Sequence, residues 1–371
     1  MRWLLQIDRR YIYIVVAVAI ISAHLLRDKV HFPIYASKPV RGVHDAIEKL
    51  GRGDVVLASL DFDPASAPEL DPMARAVLRH CFSKGLRVIG MTHWPSGIGL
   101  AEQIITETVR EFDDVVVAYR IFERRKEARA EIERLRSLEG VTLGAEVARW
   151  PAATVNAGRA RIDGGAKPEL TWSLGLREAV ATIGTGAPKL AKLGKRRWAV
   201  LVQIARKPTL TYGEDYCFLG QRAGAGILII TMGQSLYAAF PVDNAGNSTR
   251  AMPMLQDVRS LSDIDYLICL ASGNTGETWV AYGSERYHFP MGIGCTAVIA
   301  PDLYPFYQAG QITGIIGGIK GAWEYEALIG IPGSATEAVP AQTAAHLLVI
   351  VLVLLCNVGY FLAGRGRAVA S

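Results

Sequence analysis

Residues 53–70 read GDVVLASLDFDPASAPEL, and the fold turns on how this stretch is parsed. An apolar run, Asp54 to Leu60, follows Gly53 and stops abruptly at Asp61-Phe62-Asp63-Pro64. A short β-branched run bounded by Gly and Pro reads as a strand buried on both faces. Pro68-Glu69 then has the character of a helix first turn, where an acidic side chain is favoured. Strand, turn and helix open a βαβ unit, and the aspartates fall at the strand's carboxyl end.

The alternation continues on both sides of that stretch. Upstream, VHDAIEKLG (43–51) is a short helix stopped by Gly51. Downstream, PELDPMARAVLRHCFSKG (68–85) reads as a helix, LRVIGMT (86–92) as a strand, GLAEQIITETVREF (99–112) as a helix and DVVVAYRIF (114–122) as a strand. None of the three strands alternates polar with apolar, as expected when helices cover both faces of a parallel sheet. Further strands are expected at AGILIITMG (225–233), DIDYLICLASG (263–273) and CTAVIA (295–300), with a helix in between from Glu277. The fold class is therefore α/β: a Rossmann-like, mostly parallel sheet of about six strands with helices on both faces. Residues 123–136 mix charges of both signs at helical spacing and read as a solvated helix. The region 140–212 is a poorly read excursion with one clear strand, RWAVLVQIA (197–205).

Half the residues are hydrophobic, and two segments account for much of that. Tyr11–Leu26 and His346–Leu362 carry no formal charge. Crossing a bilayer takes about 20 mostly apolar residues in a helix. The second segment reaches that length from Ala344 to Gly364, whereas the first needs help from interfacial aromatics. A cleaved signal peptide would share the basic start of the first segment, but Ile21-Ser22-Ala23 puts a bulky residue where cleavage needs a small one. The expectation is a cytoplasmic tail (1–10), a signal anchor (11–26), an extracytoplasmic domain (27–340), a second span (341–364) and a second cytoplasmic tail (365–371). Orientation follows from the arginines: Arg2, Arg9 and Arg10 against Asp8, and Arg365 with Arg367, make both tails positive, and positive tails stay cytoplasmic. Between the tails the charge is nearly balanced, so the net charge of +5 does not form a basic patch on the domain and no nucleic-acid partner is expected.

The five cysteines show no CxxC spacing, and no other spacing is a metal signature. Cys269 and Cys295, in apolar or Gly-rich runs, are expected to pack as small hydrophobes. In AGQITGIIGGIKGAWEYEALIG (309–330), Gly310, Gly314 and Gly318 recur every fourth residue, as do Gly317 and Gly321. On a helix each set would lie along one side and admit a close neighbour, in this chain or in a second copy.

In open α/β sheets ligands bind beyond the carboxyl ends of the strands. Asp61 and Asp63 follow the first strand, His93 the second, and Ser272, Asn274 and Glu277 the strand at 263–271, so these six form a candidate ligand rim. Carboxylates there suit a hard cation or, paired with an imidazole, acid–base chemistry; Asp63-Pro64 alternatively opens a turn. GTGAPK (184–189) lacks the full phosphate-loop pattern, and Tyr237 replaces the last Gly of a nucleophile elbow around Ser235. SGNTGE (272–277) reads as a Gly-rich turn, and His346 and Asn357 as hydrogen-bonding groups between helices. No cofactor is indicated. The first functional expectation is a membrane-anchored structural or accessory subunit that joins other copies or other membrane subunits. The second is a membrane-bound hydrolase or ligand-binding protein working at the rim.

Overall fold

The computed structural model of the chain describes residues 9–25, 35–136, 156–161, 169–172, 189–193, 197–207 and 209–368. The chain divides into two compact units, one of residues 1–101, 218–251 and 256–371, the other of 102–217 and 252–255. Among the described residues the α-helices of five residues or more are, in chain order, α1 (Arg9–Leu25), α2 (Lys38–Glu48), α3 (Ala67–Ser83), α4 (Ile98–Glu111), α5 (Arg125–Arg136), α6 (Ala225–Gln234), α7 (Thr275–Trp279), α8 (Ala300–Gln308), α9 (Gly318–Leu328) and α10 (Ser334–Ala368). The strands are β1 (Val55–Asp61), β2 (Arg87–Thr92), β3 (Asp114–Phe122), β4 (Asn156–Arg161), β5 (Glu169–Trp172), β6 (Lys189–Leu193), β7 (Arg197–Lys207), β8 (Tyr216–Gln221), β9 (Tyr266–Ala271), β10 (Met291–Cys295) and β11 (Gly314–Gly317).

The first unit is built on a six-stranded sheet in the order β11-β10-β9-β1-β2-β8. β1 pairs in parallel with β2 and β9, and β10 in parallel with β9 and β11. Numbered by their entry into this sheet, the strands run 3-2-1-4-5-6, the doubly wound order of dinucleotide-binding folds. Every residue of β1, β9 and β10 is buried, which is why their sequences lack polar alternation. The order reverses between β1 and β9, and that switch point lies where the sequence put its rim.

Several elements differ from expectation. AGILIITMG is not a strand but helix α6, since a short apolar run does not by itself distinguish a strand from a buried helix. It buries Leu228, Ile229 and Met232. CTAVIA is likewise no strand: β10 ends at Cys295 and α8 follows a turn. β3 is a strand, but of another sheet. It belongs to the second unit, a five-stranded antiparallel sheet ordered β5-β4-β3-β7-β6 and accompanied by α5, which buries Ala128, Ile132 and Leu135 along one face. Much of the excursion at 140–212, including GTGAPK except Lys189, lies outside the described residues.

The helix expected over 309–330 is instead a turn, strand β11 and helix α9. Gly314, Gly317, Gly318 and Gly321 face their own chain, whereas Gly310 faces open space. A Cβ on Gly314 would drive into the Pro39 carbonyl of α2, and one on Gly42 of α2 into the Thr313 carbonyl, so helix and edge strand touch backbone to backbone. Gly310 and Gly318 have φ of 75° and 60°, conformations that a side chain would strain. Gly317 faces Ala300, and Gly321 packs on Ile316.

Among the described residues, one helix is long and apolar enough to cross a membrane: α10, over Ser334–Val358, with 6% of its most apolar stretch buried. So little burial separates it from the core helix of a globular protein. The apolar part of α1, Ile12–Ser22, is shorter than a span requires, but α1 runs against α10. Helix α9 fastens the starts of α2 and α10 through two carboxylates, Glu324 and Glu326. Buried Glu324 accepts from Ser37 N (2.9 Å) and Ser37 Oγ (2.7 Å), just ahead of α2. Buried Glu326 accepts from Gly333 N (2.9 Å), Ala335 N (3.1 Å), Thr336 N (2.8 Å) and Thr336 Oγ (2.6 Å). These are the free donors of the first turn of α10, so a side chain of the domain caps the apolar helix.

Candidate functional site

β1 carries Ser59 and Asp61 two residues apart, which puts both side chains on one face of the sheet. Asp61, with 0% of its surface exposed, pairs in register with Ala271 of β9 at the switch point. Its Oδ1 accepts the backbone N–H of His93 at 2.6 Å, across from β2. Its Oδ2 accepts from Ser59 Oγ at 2.5 Å and Cys269 Sγ at 3.6 Å. Ser59 Oγ in turn accepts from Trp279 Nε1 of α7 at 3.1 Å. The carboxyl group is thus the centre of a network drawn from four parts of the chain. Burial pushes its pKa above the ordinary carboxylate range, against the His93 charge and the hydrogen bonds that favour the ionised form.

His93 follows β2 directly, and its ring lies against Trp279, with centroids 5.5 Å apart. Among the described residues, its Nδ1 and Nε2 are the buried side-chain polar atoms that have no hydrogen-bond partner. Burial lowers the pKa of the ring, the Asp61 charge opposing it, so the neutral imidazole is favoured at neutral pH. A neutral imidazole has one donor and one acceptor, and here neither is met from within the protein. The backbone around it is fixed: Gln221 Nε2 donates to the His93 carbonyl (3.4 Å), Trp94 N donates to Thr92 Oγ1 (3.0 Å), and a Cβ on Gly97 would strike the Phe62 carbonyl.

Of the six rim residues read from the sequence, Asp61 and His93 meet, because β1 and β2 are neighbours. Ser272 is adjacent through its backbone N–H, 3.4 Å from the Asp61 carbonyl. Asp63 is turned away into the entry of α3, where its Oδ1 accepts from Ser66 N and Ser66 Oγ, both at 3.2 Å. That is the turn-forming role. Asn274 is exposed ahead of α7, and its carbonyl accepts from Thr278. Glu277 lies half-buried on α7. Ser59 and Trp279 escaped notice in the sequence, and Cys269, in an apolar run, was read as a small hydrophobe; its thiol also donates to Asp61. The period-two spacing of Ser59 and Asp61 was the signal for the first.

Other motifs resolve into structural roles. Ser235 caps a helical turn, accepting from Ala238 N. Glu69 Oε2 accepts from Ala297 N at 2.9 Å and ties α3 to the loop after β10. Asn357 donates to Val353 O on its own helix. The five cysteines are free, four of them buried. No protein-family model, no curated protein and no solved structure matches the chain.

Proposed function

We propose that this protein is a membrane-anchored α/β domain that binds a small polar ligand at the switch point between β1 and β9, with His93 as the group that exchanges a hydrogen bond or proton with it. One observation carries this reading: a buried imidazole whose two nitrogens lack partners, beside a fully buried carboxyl group. An unmet buried polar atom costs about 1–3 kcal/mol, and a ligand that supplies a donor and an acceptor recovers that cost. The β1–α3 turn is acidic and holds no glycine, which argues against a dinucleotide, whose pyrophosphate needs a Gly-rich turn. Neutral or cationic ligands rich in hydroxyl, amide or amine groups suit it better. Asp61 is sealed and works through the His93 backbone, as a positioning residue.

The bilayer is the proposed anchor, through α10 with α1 beside it, and the positive tails support a domain on the extracytoplasmic side. Assembly with further copies or other membrane subunits remains the rival role. Four of the five glycines that suggested it, all but Gly310, face their own chain, so it would rest on the helices α1 and α10. The test is a thermal-shift screen of sugars, amino acids, polyamines and nucleosides on the full chain in detergent, wild type against His93→Leu. The reading requires at least one class to raise the wild-type midpoint and leave the variant unmoved. A screen in which nothing shifts the wild type, or everything shifts both alike, removes it.

A further inference from the structure

α2 carries His44 and Glu48 four residues apart, one above the other on a single helix face. α3 brings His80 against them, and one donor atom from each of the three side chains lies within 4.8 Å of the other two. His80 Nε2 is 2.8 Å from Glu48 Oε1, and His44 Nε2 is 3.9 Å from the same oxygen. The imidazole rings stack with centroids 5.0 Å apart. Each ring is also held from behind: His44 Nδ1 lies 2.9 Å from Asp45 Oδ1, and His80 Nδ1 lies 2.7 Å from Tyr325 Oη of α9. Partners at Nδ1 are what orient a metal-binding imidazole and leave Nε2 to the ion.

We propose that His44, Glu48 and His80 bind a zinc-class divalent cation. Two imidazole nitrogens and one carboxylate oxygen suit zinc, whereas magnesium and calcium take oxygen ligands. Ligands about 2.0–2.2 Å from zinc stand roughly 3.3–3.5 Å apart in a tetrahedron, so the present spacing needs only small side-chain movements. Glu48 is 48% exposed, which leaves the fourth position open to water and the ion free to exchange. The Lys84 ammonium, 3.0 Å from Glu48 Oε2, is the built-in competitor. The ion would tie α2, which follows the segment leading from α1, to α3. It is independent of the ligand proposed at the opposite ends of the strands.

The experiment is calorimetric titration of zinc chloride into the chelator-stripped full chain in detergent, with cobalt absorption as a second readout of the ligand set. One ion per chain is expected, with a dissociation constant of about micromolar or tighter. His44→Ala and Glu48→Gln should each weaken binding at least ~10-fold, and Tyr325→Phe by about 10-fold through loss of ring orientation. Lys84→Met should tighten it. His44 and Glu48 are accessible enough for their variants to fold, which melting in chelator checks. The proposal is overturned if the wild type binds no zinc, or if binding is weak, multiple and unchanged in His44→Ala and Glu48→Gln.

Discussion

His93 and His80 are both buried beside a carboxyl group, one past the end of β2 and the other one turn from the end of α3. Burial lowers both of their pKa values. Their surroundings otherwise differ in every respect. Both nitrogens of His80 have partners, Tyr325 and Glu48, and Glu48 is answered in turn by Lys84. Neither nitrogen of His93 has one. Burial beside a carboxyl group is thus common to both rings, and what separates them is hydrogen-bonding capacity, met in His80 and unmet in His93. The satisfied ring joins α2, α3 and α9, whereas the unsatisfied one costs stability that the rest of the fold must offset, as functional sites commonly do.

The largest effect is expected on the satisfied side, next to Tyr325. Glu326→Ala removes the acceptor for three backbone N–H groups and a hydroxyl at the start of α10. At about 1–3 kcal/mol for each donor that water does not reach, the loss should be about 3 kcal/mol or more. Urea unfolding of the detergent-solubilised chain measures it. Glu326→Gln keeps one acceptor oxygen and should lose less. If the two variants unfold alike, the hydrogen bonds are not what holds the helix.

The two histidines should next respond with opposite signs to one substitution. His80→Leu strands the buried Tyr325 hydroxyl, while half-exposed Glu48 keeps Lys84, and should cost about 1–3 kcal/mol. His93→Leu removes two unpartnered polar atoms and leaves apolar contact with Trp279, so it should gain about 1 kcal/mol. Thermal melts in chelator read both. A loss at His93 as large as that at His80 would mean that its ring is satisfied in solution, and the contrast would fail.

Titration sharpens the same contrast at the rim. The folded-state pKa of Asp61 is raised, so its contribution to stability is full below the ordinary value of 3.8 and is lost as pH rises through the raised value. His93, lowered in the fold, acts oppositely: its contribution is full above 6.5 and is lost as pH falls through the lowered value. Stability of the wild type relative to Asp61→Asn should therefore fall with rising pH from about 4 upward, by about 1 kcal/mol per pH unit within the window. A difference that is flat, or that grows with pH, would show Asp61 to be ionised throughout.

How much of this could be read in advance depended on what each residue type reveals. β1, α3, β2 and β9 were legible because β-branched runs ended at Gly or Pro, and with them came Asp61 and His93 at adjoining strand ends. β10 and β11 were not. MGIGC and GIIG carry glycines because Tyr266, Leu270 and α2 press on them, and glycine hides a strand from any propensity argument. β3 was legible as a strand, but its sheet was not, since a nine-residue run with seven apolar side chains fits a parallel centre and an antiparallel one equally. His44 and His80 went unremarked because the contact that joins them spans two helices and a strand. The i,i+4 spacing of His44 and Glu48 was the one local hint.

The smallest expected effect separates two aspartates that the sequence places side by side. Asp63 lies two residues after Asp61, yet its carboxylate accepts only from Ser66 in the entry turn of α3. Losing such a turn bond costs about 0.5–1 kcal/mol, so Asp63→Ala should lower the melting midpoint slightly. Any ligand found for the wild type should still bind to it. Asp61→Ala, by contrast, leaves the His93 N–H and the Ser59 hydroxyl without an acceptor, and it frees the loop that positions the imidazole. It should lose both stability and the ligand-induced shift. Should Asp63→Ala abolish that shift while the protein stays folded, the ligand reaches down the β1–α3 turn. The crevice would then be lined by the pair of carboxylates, with His93 at its edge.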